Sequence, residues 1–404
     1  MTAITQAPQG GTGLRRYADV LTTPGALRFA IPGVIGRMPM GMLSIAQVML
    51  VVSVTGRYGV AGAVSATGAI GFAVVTPRLA RLSDRHGQAR VLRPLAAVFA
   101  VTTCAFVLCV TSGAPAWALL VSGGMSRASM PSLGPMVRSR WSRLLGGTGL
   151  LDSAFSMEGI ADEFIFIAGP VLVVALVTGF RPVSGVLATV VLSVAGVAGL
   201  TRQRRSEPPP AATGARDRGS VLRSRGLPVL IGAQACLGAL FAAVDLATID
   251  FARDHGAAGL AGPLLALYGL GSAIAGVWYG ARRWRAPHAS RLRVAYAATA
   301  LGAAPLAFAP SVATMAVAIF VAGLGISATL VTSYSLVERL VDAGRRTEGM
   351  SWLTTAASVG TAAGAPLAGQ LIDAYGAGAG YLFALAAGLA GLAILTRPLR
   401  SASA

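Results

Sequence analysis

Residues 77–93 read PRLARLSDRHGQARVLR. Between one apolar run ending near Leu79 and another starting near Val91, the stretch holds one carboxylate, Asp84, among Arg78, Arg81, Arg85, Arg90 and Arg93. A carboxylate flanked by arginines at helix ends can make charge-assisted hydrogen bonds that fasten those ends together. Gly87 allows the tight turn that brings the ends close. An ordinary basic loop would explain the arginines but not the Asp-Arg-x-Gly order.

The rest of the chain sets this loop beside a membrane. Of 404 residues, 54% are hydrophobic and 12% charged, about half the charge of an ordinary soluble chain. All 33 basic residues are Arg, against 15 acids, for a formal charge of +18. They form short clusters between apolar runs, not one compact basic module. That excludes soluble enzymes and nucleic-acid-binding domains, so no nucleic-acid partner is expected. Cys104, Cys109 and Cys236 lie in apolar stretches without metal-ligand spacing and read as small buried residues; no metal and no cofactor are expected.

A bilayer core needs roughly 20 apolar residues per helix. The apolar runs lie at 26–54, 59–79, 91–111, 117–137, 150–178 and 183–200, then at 227–251, 260–280, 294–309, 312–336, 352–372 and 381–395. The expectation is an all-α membrane protein of twelve transmembrane helices in two pseudo-symmetric six-helix bundles. A cytoplasmic tail covers 1–24, the bundles 25–200 and 227–396, a flexible cytoplasmic linker 201–226, and a second cytoplasmic tail 397–404. The linker carries Pro208, Pro209 and Pro210 among seven arginines. With the N-terminus inside, only Arg57, Arg181 and Arg253 fall in outer loops. Arg37 and Arg127 lie within spans, and every other arginine faces the cytoplasm, as expected of a multi-pass protein of the inner (plasma) membrane with both termini inside.

Shifting the chain against itself by 196 positions aligns Gly169 and Pro170 of span 5 with Ala365 and Pro366 of span 11, Ala161 with Ala357, and Asp152 with Glu348. The same shift sets Asp84, Arg85, His86 and Gly87 against Gly280, Ala281, Arg282 and Arg283. With the linker between them, the halves read as parallel repeats, whose interface near the midplane is where transporters of this type bind substrate.

The opening stretch resembles the loop 2–3 signature of the major facilitator superfamily, G-x-L-A-D-R-x-G-R-R. Leu82, Asp84, Arg85 and Gly87 match, Ser83 is a near match and Arg90 falls close by; Ala80 replaces the first glycine, and Gln88 and Ala89 replace the paired basic residues. Asp84, Arg85, Gly87 and Arg90 are therefore the expected conformational lock. Part of the drug/proton antiporter-like branch's span 5 signature is also present: Gly169 and Pro170 match, while Val173 and Val174 stand where glycines should be. Gly169, Pro170, Gly364 and Pro366 are expected to serve helix packing. The same branch often has an Arg in span 4, and here only Arg127 carries over.

The resemblance implies a secondary transporter whose halves rock about a cavity lined by spans 1, 4, 5, 7, 10 and 11. Span 5 holds Glu158, Asp162 and Glu163, at depths of roughly 12 to 20 Å. Three carboxylates there need cations, and Arg37 and Arg127 are the obvious partners, leaving one acid free to take up a proton. Asp245 in span 7 is a second candidate. Proton coupling is therefore assigned to Glu158, Asp162, Glu163 and Asp245, and the substrate cavity to Arg37, Arg127, Met42, Gln47 and Gln234. The expected function is proton-coupled efflux of a small apolar or amphipathic compound by a monomer. Transport of a sugar or other polar metabolite is the alternative. A membrane-embedded enzyme or sensor is a third reading, disfavoured because His86, His255 and His288 all fall outside the spans.

Overall fold

The computed structural model describes residues 13–210, 221–224 and 226–397; Arg216, Arg218, Arg225 and Arg400 lie outside the described residues. A short helix α1 (Arg15–Thr22) precedes the first span. Spans 1 to 3 are α2 (Ala26–Thr55), α3 (Tyr58–His86) and α4 (Gln88–Thr111). Span 4 is split into α5 (Ala116–Ala128) and α6 (Leu133–Leu145), and spans 5 and 6 are α7 (Leu151–Gly179) and α8 (Pro182–Arg202). Spans 7 to 9 are α9 (Leu227–Asp254), α10 (Ala261–Ala281) and α11 (His288–Gly302), the last extended by a 3-10 turn at Pro305–Phe308. Span 10 is α12 (Val312–Gly323) with α13 (Ile326–Leu340), and α14 (Arg346–Tyr375) and α15 (Ala377–Leu395) complete the twelve.

Nine of these segments are long and apolar enough to cross a membrane on length and composition alone, among the described residues. The exceptions have physical causes. Span 4 breaks at Pro131, which has no N–H to give to the preceding turn. The helix of span 9 has only 15 residues before it tightens into the 3-10 turn, and that of span 11 is diluted by Thr, Ser and Gly; both begin six residues before their apolar runs, at His288 and Arg346. Hydropathy marks the part of a helix that lies in lipid, and the helix continues past it. Cys104 is exposed on α4, and Cys109 and Cys236 are half-buried, so none of the three is the fully buried residue expected.

Within the first half, α2 packs on α7 and α8; within the second, α9 packs on α14 and α15. The contacts are close because the facing residues are small. A Cβ on Gly169 would lie 2.9 Å from the backbone of Gly41, and one on Gly364 would lie 2.6 Å from Ala239. At Gly360 it would strike the Ala235 carbonyl. Gly360→Val is expected to destabilise the second half by about 1–3 kcal/mol through overpacking; an unfolding temperature in detergent equal to the parent's would refute this.

The halves meet through α3 with α14 and α7 with α10 and α13. On the arginine-rich face, one apolar core joins Leu92, Leu133, Trp141 and Phe155 of the first half to Leu230, Tyr296, Tyr334 and Met350 of the second. Toward the opposite face the apolar cores separate, each confined to one half. The protein is thus closed on its arginine-rich face.

Candidate functional site

The loop quoted at the outset shows how that face is closed. Gly87 has φ +91°, a conformation that favours glycine, and turns the chain from α3 into α4. Asp84, at the end of α3, accepts the Glu348 N–H at 2.8 Å, with Thr347 bonded to it as well. The carboxylate thus caps the first turn of α14 in the other half, where free N–H groups and the helix dipole favour a negative charge. Arg81 and Arg345 flank the Glu348 carboxylate, at 4.0 and 3.3 Å. Arg90 is exposed at the start of α4.

Gln88, standing where the family signature has a basic residue, is buried. Its amide donates to Met136 O at 3.1 Å and Ser139 Oγ at 2.9 Å and accepts from Arg140 Nε at 2.7 Å. It ties span 3 to span 4 instead of offering a charge. Asp84→Asn keeps the side chain's shape but removes the charge facing α14, worth about 0.5–2 kcal/mol at a helix N-terminus. It should raise labelling of a cysteine buried at the arginine-rich face several-fold; equal labelling rates would argue against the lock.

Deeper in the membrane, α2, α6 and α7 bring four charged side chains together. Arg37 Nη2 lies 2.5 Å from Glu158 Oε2, and Arg37 Nη1 lies 2.8 Å from Asp162 Oδ1. Arg138 Nη2 holds the other oxygen, Asp162 Oδ2, at 2.6 Å. Trp141 Nε1 donates to Glu158 Oε1 at 2.8 Å, and the Arg138 guanidinium lies 4.2 Å from the centre of the Tyr334 ring in the second half. Two arginines balance two carboxylates, which is what makes such a buried cluster tolerable. Glu158 and Asp162 share a face because they are four residues apart on α7.

Glu163, one position further round, faces α10 beside Gly269 and Ser272. Asp245 on α9 is exposed although α9 is a membrane span, and Tyr268 of α10 lies close enough to feel the charge of both Asp245 and Glu163. Neither acid has an ion-pair partner among the described residues.

The expected partnership of Arg127 is corrected by the geometry. Its stem packs on Gly68 of α3, its guanidinium lies 5.9 Å from the Phe72 ring centre, and its buried Nε and Nη1 have no hydrogen-bond partner among the described residues. The second cation is Arg138, read from sequence as part of a basic loop because the apolar run ends at Val137. The helix continues to Leu145, so Arg138 lies inside it and reaches Asp162. A signal was available in LGPMVRSRWSRLL, where Arg138 and Trp141 sit three apart on one helical face. Two cavity assignments are corrected as well. Met42 is fully buried in the first half's apolar core, and Gln47, also fully buried, spends its amide on Gly123 O at 3.4 Å. Gln234 is buried on α9 beside the core that joins the halves.

Twelve spans in two halves, with a carboxylate capping a helix of the other half at one face and a buried ion cluster near the interface, define a polytopic transporter fold. The model of the Major Facilitator Superfamily matches residues 30–316 and 291–403, and the chain belongs to that family. The human organic anion transporter MFSD10 is similar in structure, with a TM-score of 0.72, 15% identity, and coverage of 91% of this chain and 99% of that one. A bacterial homologue of the iron transporter ferroportin, in an outward-facing state, gives 0.72, 17%, 92% and 98%. The E. coli fucose:proton symporter gives 0.70, 14%, 93% and 98%. At these identities the likeness is one of fold. A comparison with curated proteins gave no match.

Proposed function

We propose that the protein is a proton-coupled exporter of a small apolar or amphipathic compound, acting as a monomer in the plasma membrane with its arginine-rich face toward the cytoplasm. The observation that carries this reading is the division of the acids. Glu158 and Asp162 are neutralised by Arg37 and Arg138, while Glu163 and Asp245 lie at the depth of the membrane without a cation. A carboxyl group in such a place can hold a proton in one conformation and release it in the other. Burial of Gln47 and Gln234 removes two of the amides that a polar substrate would need, which favours an apolar one.

The charge distribution supports the orientation, because arginines near span ends are retained on the cytoplasmic side. The test is a panel of labelled compounds in proteoliposomes under an imposed pH gradient. At least one apolar or amphipathic compound should move against its own gradient when protons run the other way. Movement of sugars alone, or of nothing, would overturn the reading.

A further inference from the structure

The two halves are tied at the arginine-rich face at several points, among them the Asp84 cap, the Asp152 cluster and a contact made by the N-terminal helix. Where α3 meets α14, Asp84 caps the first turn of the partner helix. The 196-residue shift carries Asp84 to Gly280 on α10 and Glu348 to Asp152 on α7. At that second place the glycine has no side chain to reach across. Asp152 of α7 reaches past it to Arg291 of α11 at 2.8 Å and Ser335 of α13 at 2.6 Å, a charged tie of its own between the halves.

The position is filled by the N-terminal helix. Gly25, at φ +87°, turns α1 back against α7 and α10. Arg16, 2% exposed, donates through Nη2 to Gly149 O, and through Nε to Ser153 Oγ at 3.0 Å and to Gly280 O at 3.3 Å. The Tyr17 hydroxyl lies 3.0 Å from both Gly276 O and Val277 O. Burial pushes the Tyr17 phenol up, so it remains a donor. Val20 is fully buried in the apolar core that joins the halves. Gly149 and Ser153 belong to the first half, and Gly276, Val277 and Gly280 to the second. Since α1 is covalently part of the first half, parting of the halves at this face must break its bonds to α10.

We infer that α1 is a detachable strap added to these ties: docked, it helps hold the arginine-rich face closed, and it leaves α10 before that face opens. The inference rests on the alternating movement of the halves and not on the substrate or the proton coupling proposed above, and its test needs neither.

The test is labelling of a single cysteine by a bulky charged maleimide in nanodiscs, with Cys104, Cys109 and Cys236 replaced by serine. Met350→Cys reports opening, because Met350 is fully buried in the core that joins the halves; Leu43→Cys, fully buried within the first half, reports general loosening. Tyr17→Phe and Arg16→Gln should each speed labelling at Met350→Cys by roughly two- to tenfold, the range for loss of one or two hydrogen bonds. Ala18→Ser, on the exposed side of α1, should change nothing. Rates equal to the parent's in both variants, or a matching rise at Leu43→Cys, would overturn the strap.

Discussion

Replacing Arg37 by glutamine is expected to abolish transport and lower stability by about 3–5 kcal/mol, the usual cost of removing one partner of a buried ion pair. Arg37 is 2% exposed and holds both Glu158 and Asp162. Without it Glu158 keeps only the Trp141 N–H, and Asp162 keeps only Arg138. Lysine should not rescue, because one ammonium cannot offer the two diverging N–H groups that the guanidinium sends to two carboxylates. The double replacement Arg37→Gln with Glu158→Gln removes one charge of each sign, and the amide oxygen can still accept from Trp141. It should recover more than half of the lost stability. Thermal unfolding of the four purified proteins gives the coupling energy directly. A coupling near zero would mean that Arg37 and Glu158 do not act as a pair.

The sequence reading succeeded where a single physical rule dominates and fell short where two compete. Membrane spans are legible because lipid tolerates few exposed polar groups, and even the strongly kinked span 4 shows in the apolar run. Asp84 and Gly87 were legible because a charge and a turn at fixed spacing have one structural use. Arg138 and Trp141 were missed because the same arginines serve the orientation rule and the ion cluster. A window that averages hydropathy assigns all of them to the first role. The N-terminal helix was read as a tail for a related reason: in RRYADVLT the apolar positions are too few to mark a span, and only the carbonyls of Gly149, Gly276 and Gly280 show where Arg16 and Tyr17 bind. Met42 and Gln47 were placed in the cavity from residue type alone. Which face of α2 turns toward α5 and which toward the cavity is decided by packing that a nearly uniform apolar helix does not encode.

Glu163→Gln and Asp245→Asn carry the second large effect, because they remove two intramembrane acids of the proposed site that no arginine neutralises among the described residues. If one proton is exchanged per substrate, a difference of one pH unit is worth about 1.4 kcal/mol and supports about a tenfold concentration ratio. The parent protein is expected to approach that ratio in proteoliposomes. A variant lacking the coupling acid should reach no ratio above unity, yet still exchange labelled for unlabelled substrate at equal pH. That combination separates loss of coupling from loss of folding or binding. The position of the acids says which change should matter. Tyr268 of α10 lies within reach of the charge of both Asp245 and Glu163, so the two acids share one neighbour across α10. Glu163 follows Asp162 directly, and Asp162 is clamped by Arg37 and Arg138 from spans 1 and 4. A change of charge at Glu163 is thereby felt at the joint between those spans and α10. Asp162→Asn should instead behave like Arg37→Gln, losing stability and exchange together. Retained gradient-driven accumulation in both Glu163→Gln and Asp245→Asn would remove the proton from the mechanism and leave a carrier that only equilibrates its substrate.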